Sequence, residues 1–304
     1  MRLDEWIRHA QKRLAASGIE SSRLEAQLLA AHVLRVDRSW LIAHPEHEFN
    51  ELAGEMLLQR RESREPLAYI LGRREFYGRQ FRVTPAVLIP RQETEVLVEA
   101  ALAEDHTSKM DVITTGGKAV PLRVLDIGAG SGAIAITVKL ERPDWDVTAV
   151  DISPPALELA EENAKSLGVE IRFVLSDGFE QLIGESFDLI VTNPPYIGHD
   201  EPLMPDVVEH EPHVALFSGK TGLEFYERLS REAMNHLNDG GRLMMEVGHR
   251  QARTVRELFE SGGWQHVQTA QDLSGIDRVL VMAWTYECAT AIIDSDADHR
   301  PGRV

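Results

Sequence analysis

An α/β fold is predicted: a doubly wound sheet of seven strands, the last one antiparallel, behind a small N-terminal helical domain. Three observations predict it. From Arg123 onward, short apolar runs alternate with amphipathic stretches at helical period. Residues 1–72 carry helical period alone. The last two apolar runs are joined only by Ser274-Gly275-Ile276-Asp277. A parallel crossover needs a dozen or more residues, so that pair must be antiparallel.

The elements follow in order. Leu3, Ile7, Ala10 and Leu14 share one helix face, and Leu24, Leu28, Ala31 and Val33 a second. Gly18 separates the two, and Ser21 or Ser22 caps the second. A third helix is predicted over 48–62, ended before Pro66. Residues 1–74 then form a helical domain suited to gripping a partner. Residues 75–91 read as a hairpin linker turning near Gly78, and a helix follows over 92–104. Residues 105–121 have turn composition and no period, so a loop is expected. Strands are predicted near 123–128, 146–151, 170–175, 187–192, 241–247, 264–270 and 278–285. Helices are predicted near 132–142, 154–167, 222–238 and 250–261. The second domain spans 92–286, and the patternless residues 287–304 are expected to be a disordered tail.

Composition narrows the function. The 304 residues are 43% hydrophobic and 27% charged, as in an ordinary soluble protein. No apolar run approaches the ~20 residues of a membrane span. The opening MRLDEWIRHAQKRLAASG reads as an amphipathic helix, not a signal peptide. Cys288 is the only cysteine, which excludes an internal disulfide and a cysteine-rich metal site and fits a reducing cytoplasm. A formal net charge of −17 argues against nucleic acid as the main partner and suits a cationic ligand or a basic protein.

Gly128-Ala129-Gly130-Ser131-Gly132 joins the first sheet strand to its helix. Glycines permit a sharp turn and a close ligand, and a helix start offers free N–H groups. The spacing is G-x-G-x-G, not the G-x-G-x-x-G that cradles a pyrophosphate. Asp126 just ahead would repel a pyrophosphate and attract an ammonium or sulfonium. Asp151 ends the second strand, where a carboxylate can accept from ribose hydroxyls. Asp177 ends the third, beside Gly178 and Phe179, placed to accept from an adenine amino group. Ribose, adenine and a cationic amino-acid tail together describe S-adenosyl-L-methionine.

The fourth strand ends in Asn193-Pro194-Pro195-Tyr196. An amide or aryl-amine nitrogen is a poor nucleophile because its lone pair is delocalised. The Asn193 side-chain oxygen and the Pro194 carbonyl can accept both of its N–H bonds, which aims the lone pair and stabilises the charge that grows on nitrogen. Tyr196 offers a flat wall. On these residues alone, a glutamine amide, an adenine amino and a cytosine amino group all remain open. His199, His210 and His213 stand near Asp206, Glu209 and Glu211, but their spacing matches no metal-ligand pattern and no metal is expected. Glu246 could face the site or solvent, and Arg278 suits a structural ion pair.

Several segments taken together resemble the peptide chain release factor glutamine methyltransferases, the PrmC/HemK family. These are Pro66-Leu67-Ala68-Tyr69-Ile70-Leu71-Gly72, Glu75-Phe76-Tyr77-Gly78, Val87-Leu88-Ile89-Pro90-Arg91, the glycine loop, the Asn193–Tyr196 stretch with Ile197, Glu211-Pro212-His213-Val214-Ala215-Leu216-Phe217 with Gly222-Leu223, and Gly275-Ile276-Asp277-Arg278. The resemblance implies a class I S-adenosyl-L-methionine-dependent methyltransferase fold. It implies methylation of the side-chain amide nitrogen of the glutamine in the Gly-Gly-Gln motif of bacterial release factors 1 and 2. Gly128 through Gly132, Asp151 and Asn193 would hold the cofactor. Asn193, Pro194, Pro195 and Tyr196 would hold the glutamine, with Leu88 as an apolar wall, and the helical domain would contact the release factor away from the chemistry. Where relatives read PRPETE, this chain has Gln92 in Pro90-Arg91-Gln92-Glu93-Thr94-Glu95. Gly178 stands where some carry a tryptophan. A ribosomal-protein glutamine methyltransferase, a DNA amino-methyltransferase and a non-catalytic cofactor-binding module are the alternatives.

Overall fold

The structure is a computed structural model that describes residues 1–104 and 121–284. The expected loop at 105–121, apart from its last residue, and the tail at 287–304 lie outside the described residues. The chain divides into two compact units. One holds Met1–Arg74, Val83–Pro85 and Pro202–Glu211; the other holds Glu75–Arg82, Ala86–Glu201 and the described residues from Pro212 onward. The return of residues 202–211 to the first unit is absent from the contiguous domains expected above.

The first unit is helical: α1 (Leu3–Ala16), α2 (Ser22–Leu34), α3 (Arg38–Ala43), α4 (Glu51–Glu62) and α5 (Leu67–Leu71). Leu3, Trp6, Ala10 and Leu14 bury one face of α1, and Ala26, Leu29 and Ala30 that of α2. Each fully buried leucine contributes about 1.5–3 kcal/mol. The helix predicted from residue 48 begins at Glu51, because the Asn50 side chain accepts from the Ala53 N–H at 3.3 Å and caps it. Phe49, just outside, packs on Trp6 with ring centres 4.5 Å apart. The short helices α3 and α5 were not expected; Asp37 caps α3 through the Trp40 N–H at 2.8 Å. Residues 202–211 contain α9 (Pro205–Val208). Asp206 there accepts from Arg61 Nη1 at 2.8 Å, while Arg61 Nε donates to Glu25 at 2.6 Å. Arg64 also pairs with Asp206.

The hairpin β1 (Arg73–Phe76) and β2 (Arg79–Arg82) turns through Tyr77 and Gly78, both at positive φ, the geometry that matches strand twist. A 3-10 turn (Gln92–Thr94) leads into α6 (Glu95–Ala103). The remaining elements are β3 (Arg123–Ile127), α7 (Ala133–Glu141), β4 (Asp146–Asp151), α8 (Pro154–Leu167), β5 (Arg172–Leu175), β6 (Phe187–Thr192), α10 (His213–Leu216), α11 (Glu224–Glu232), β7 (Leu237–Glu246), α12 (Ala252–Ser261), β8 (Gln265–Gln271) and β9 (Asp277–Ala283). Strands β3 to β9 form one sheet in the order β5-β4-β3-β6-β7-β9-β8, with β9 antiparallel to both neighbours and every other pairing parallel.

Alternation explains the two layers. Val124, Val191, Met244, Val279 and Val281 face one cluster with Leu97, Val98 and Ile136. Leu125, Ile190, Leu243, Leu280 and Met282 face the other with Tyr226, Leu229, Val255 and Phe259. Both faces are covered, as a doubly wound sheet requires. The last strand lies inside the sheet, not at its rim: β9 is apolar on both faces, whereas β8 is polar and forms the edge. The helix predicted over 222–238 ends earlier, and β7 begins at Leu237 rather than residue 241. Leu237 pairs with Phe187 and Arg242 with Leu189, so Asn238-Asp239-Gly240-Gly241, which reads as a turn, is an irregularity within the strand. Among the described residues, no helix is long and apolar enough to cross a membrane.

Candidate active site

The sheet order reverses between β3 and β6, since β4 and β5 lie on one side of β3 and β6 and β7 on the other. Open α/β sheets bind ligands in the crevice outside the strand ends at such a point. A cavity of about 390 Å³ lies there. It takes residues from the turn after β3, the ends of β4, β5 and β6, the segment 86–94 and helix α11. Thr192 at the end of β6 donates its hydroxyl to the Ile127 carbonyl at 2.7 Å, tying the two switch-point strands together.

The glycine turn divides its labour. Gly128, Ala129, Gly130 and Ser131 line the cavity. A Cβ on Gly128 would meet no atom within 4 Å, and one on Gly130 only the Gly128 carbonyl at 4.0 Å, so these side-chain positions open into free space. Gly132 does not line the cavity. A Cβ there would come within 2.7 Å of Ile136 and 3.3 Å of Ala160, so this glycine lets α7 and α8 pack. It was expected among the cofactor contacts, and what the structure gives it is this packing role.

Asp151 lines the cavity and accepts from the Gly130 N–H at 2.8 Å and the Ser153 N–H at 2.9 Å. Burial raises its pKa, against those hydrogen bonds. Asp177 and Gly178 also line the cavity. One Asp177 oxygen is committed to Arg228, whose other terminal nitrogen donates to the Asp177 carbonyl at 2.9 Å. Phe179, expected beside adenine, does not line this cavity; it lies in the core, stacked on His236 with ring centres 4.4 Å apart. Asp126 is fully buried outside the cavity lining. One of its oxygens accepts from the Ala135 N–H at 3.1 Å, and the other has no partner among the described residues. Burial pushes its pKa up to about 7, and the neighbouring Asp151 adds to the rise.

Asn193, Pro194, Pro195 and Leu88 line the same cavity. The Asn193 amide nitrogen donates to Thr94 Oγ1 at 3.0 Å, which leaves Oδ1 as the acceptor of that side chain. Tyr196 does not line the cavity. Its ring packs against the apolar cluster and beside Gly248, and its carbonyl accepts from Gln251 at 2.9 Å. Burial, reinforced by nearby Glu246, raises the Tyr196 phenol. Glu246, left open between site and surface, is 1% exposed and lies behind the cavity lining. Arg278 pairs with Asp272 at 2.8 Å. His199 and His213 each contact the Phe217 ring, and Asp206 is held by arginines in the first unit.

Sequence reasoning missed Thr94, Arg228 and the wall formed by Pro212, Phe217 and Phe225. Thr94 sits in a segment already singled out, whereas Arg228 belongs to an amphipathic helix that reads as ordinary surface. Phe225 comes from α11, whereas Pro212 and Phe217 belong to a segment that leaves and returns beside the corner. Its neck is closed by Ile197 N–H to Leu216 O at 3.1 Å, Ser218 N–H to Ile197 O at 2.9 Å and His199 N–H to Gly219 O at 3.0 Å. Gly222 is required below it, since a Cβ would sit 2.4 Å from the Tyr196 carbonyl.

Comparison with known proteins gives the family. Residues 5–72 match the PrmC N-terminal domain, and residues 105–210 match the methyltransferase small domain. A release factor glutamine methyltransferase of Koribacter versatilis is 40% identical over 287 residues, covering 92% of this chain and 98% of its own length. Those of Cereibacter sphaeroides and Escherichia coli are 43% and 37% identical, with the same coverage of both chains. Among solved structures, a methyltransferase from Pyrococcus furiosus aligns with a TM-score of 0.48 at 17% identity, over 69% of this chain and 90% of its own, too distant to add to the assignment. With its switch-point cavity, glycine turn and acceptor corner, and with relatives matched nearly end to end, this chain belongs to the release factor glutamine methyltransferase family.

Proposed function

We propose that this chain transfers a methyl group from S-adenosyl-L-methionine to the side-chain amide nitrogen of the glutamine in the Gly-Gly-Gln motif of peptide chain release factors. The observation that carries the reading is that Asn193, Pro194 and Pro195 share one cavity with the glycine turn and Asp151. The residues fit the cofactor: Gly128 and Gly130 leave space that any side chain would fill, and Asp151 keeps a lone pair on each oxygen beyond the two backbone bonds it accepts.

S-adenosyl-L-methionine, when bound, supplies a methyl carbon made electrophilic by a sulfonium. The turn from Gly128 to Ser131 would hold its amino-acid end, Asp151 its ribose hydroxyls, and Asp177, Gly178 and Arg228 its adenine end. Asn193 Oδ1 and the Pro194 carbonyl accept the two N–H bonds of the substrate amide. That orientation turns the nitrogen lone pair toward the methyl and stabilises positive charge as it grows on nitrogen. Two consecutive prolines stiffen the corner, and alignment of this kind lowers a barrier by several kcal/mol, up to ~7–11 in the best systems. Leu88 walls the substrate side. The nitrogen sheds its proton to water after the bond forms, so no strong base is needed. A release-factor substrate places the reaction in the cytoplasm, and the acidic chain, at −17, disfavours direct contact with nucleic acid.

The test is transfer of label from S-adenosyl-L-methionine to a release factor, its Gly-Gly-Gln→Gly-Gly-Ala variant, ribosomal protein and duplex DNA, each offered separately. Label on the wild-type factor alone is expected; label on DNA or ribosomal protein instead overturns the reading. Asn193→Ala is expected to abolish turnover while cofactor affinity stays within about tenfold, ~1.4 kcal/mol. Loss of cofactor binding in calorimetry would contradict that division of roles.

A further inference from the structure

An asparagine amide is nearly symmetric in shape, so the corner by itself does not determine whether Asn193 offers its oxygen or its –NH2 group to a substrate. Behind it lies a chain of hydrogen bonds that does. Asn193 Nδ2 donates to Thr94 Oγ1 at 3.0 Å, and the Thr94 hydroxyl hydrogen-bonds the Glu246 carboxylate. Thr94 is 4% exposed and Glu246 1%, so water does not compete for these bonds. The second Glu246 oxygen, Oε2, has no partner among the described residues.

We propose that Thr94 and Glu246 are positioning residues for Asn193. An ionised Glu246 can only accept, so the single Thr94 proton goes to it. The Thr94 lone pairs then face Asn193, the amide must donate to them, and Oδ1 is left as the acceptor for the substrate amide. The inference rests on the role given to Asn193 above.

The arrangement carries a pH dependence with a definite sign. A protonated Glu246 can donate to Thr94, which frees the Thr94 proton to point at Asn193 and favours the flipped amide, with –NH2 toward the substrate. The flipped form repels the N–H bonds it should accept. Burial pushes the Glu246 pKa up to about 7, partly offset by the Thr94 hydrogen bond and by Arg278. The charged and titratable groups facing it are Arg278 on β9, Arg91 and Glu93 before α6, and the Tyr196 phenol after β6. From α11, Tyr226 donates to the Glu246 backbone carbonyl at 2.8 Å. Arg278 is itself paired with Asp272. Activity should therefore rise with pH through a midpoint near 7.

The experiment measures kcat at saturating release factor and S-adenosyl-L-methionine, from pH 5.5 to 9, for the full-length wild type, Thr94→Val, Thr94→Ser and Glu246→Gln, with cofactor affinity by calorimetry. Thr94→Val is expected to lower kcat about a hundredfold, as a misaimed group does, with cofactor affinity within about threefold. Thr94→Ser should keep kcat within about threefold of wild type, because it restores the hydroxyl alone. Glu246→Gln should lose the acid limb. Thr94→Val with unchanged kcat, or an acid limb that persists unchanged in Glu246→Gln, overturns the relay. If Thr94→Val does not fold, by circular dichroism, the Glu246→Gln profile decides. A wild type inactive on release factors would instead defeat the proposed function, and the two failures are told apart by that control.

Discussion

Both compact units bury charge, and they treat it in opposite ways. In the first, the Arg61 side chain is 7% exposed and lies between Glu25 and Asp206, with Arg64 on the far side of Asp206. Every charge there has an opposite partner, and the network holds residues 202–211 to the helices. In the second, Asp126 and Glu246 are as deeply buried, yet each keeps one carboxylate oxygen without a partner among the described residues. Both sit at strand ends beside the cavity. The pairs in the first unit offset desolvation; the lone carboxylates in the second raise their own pKa to about 7 and sacrifice stability to keep an acceptor in place.

The contrast can be broken at either end. The largest effect is expected from Arg61→Ala, which strands Glu25 and leaves Asp206 with Arg64 alone: about 3–5 kcal/mol lost in urea unfolding. Replacing Glu25, Arg61 and Asp206 together with apolar residues of similar volume should recover most of that loss. A cost below about 1 kcal/mol for Arg61→Ala would mean that water reaches the cluster and the contrast is false.

In the second unit the sign follows from linkage. Asp126 and Glu246 hold protons in the folded state up to about 7, whereas in the unfolded chain they release them near their ordinary values of 3.8 and 4.5. The folded state binds more protons in that window, so their contribution to stability falls as pH rises through it and levels off above. Glu246→Gln should flatten the slope by about 1–3 kcal/mol between pH 5 and pH 8, measured by urea unfolding at each pH. An unchanged slope would assign it to Asp126 alone. The smallest effect belongs to the Arg253–Glu257 pair on α12, 2.8 Å apart with side chains 84% and 54% exposed. Arg253→Ala should leave the urea midpoint where it is, which sharpens the point that burial, not pairing, sets the scale.

How much of this was legible follows the reach of each signal. The sheet was readable because Val124-Leu125 and Val279-Leu280-Val281-Met282 are apolar on both faces, and the reversed strand because four residues cannot make a crossover. Helices of five and six residues, α5 and α3, are too short to show a period. The return of residues 202–211 rests on Arg61 meeting Asp206 across 145 positions, which no local window contains. At the site, Gly128, Gly130, Asp151, Asn193 and Leu88 were legible and do share the cavity. Gly132, Phe179 and Tyr196 belong to the same motifs but lie off the cavity lining: Gly132 is where α7 packs on α8, the Phe179 ring is in the core, and the Tyr196 ring lies against Gly248. Thr94 and Arg228 come from other elements, so only folding brings them in.

The closed neck at Ile197 and Ser218 gives the excursion between them two planted feet. Pro212 and Phe217 within it line the cavity, and Asp206 within it is held by Arg61 and Arg64, so the excursion is fixed in its middle as well as at its ends. The acceptor corner one residue away is braced by the neck, since the backbone that follows Tyr196 cannot shift without breaking its hydrogen bonds.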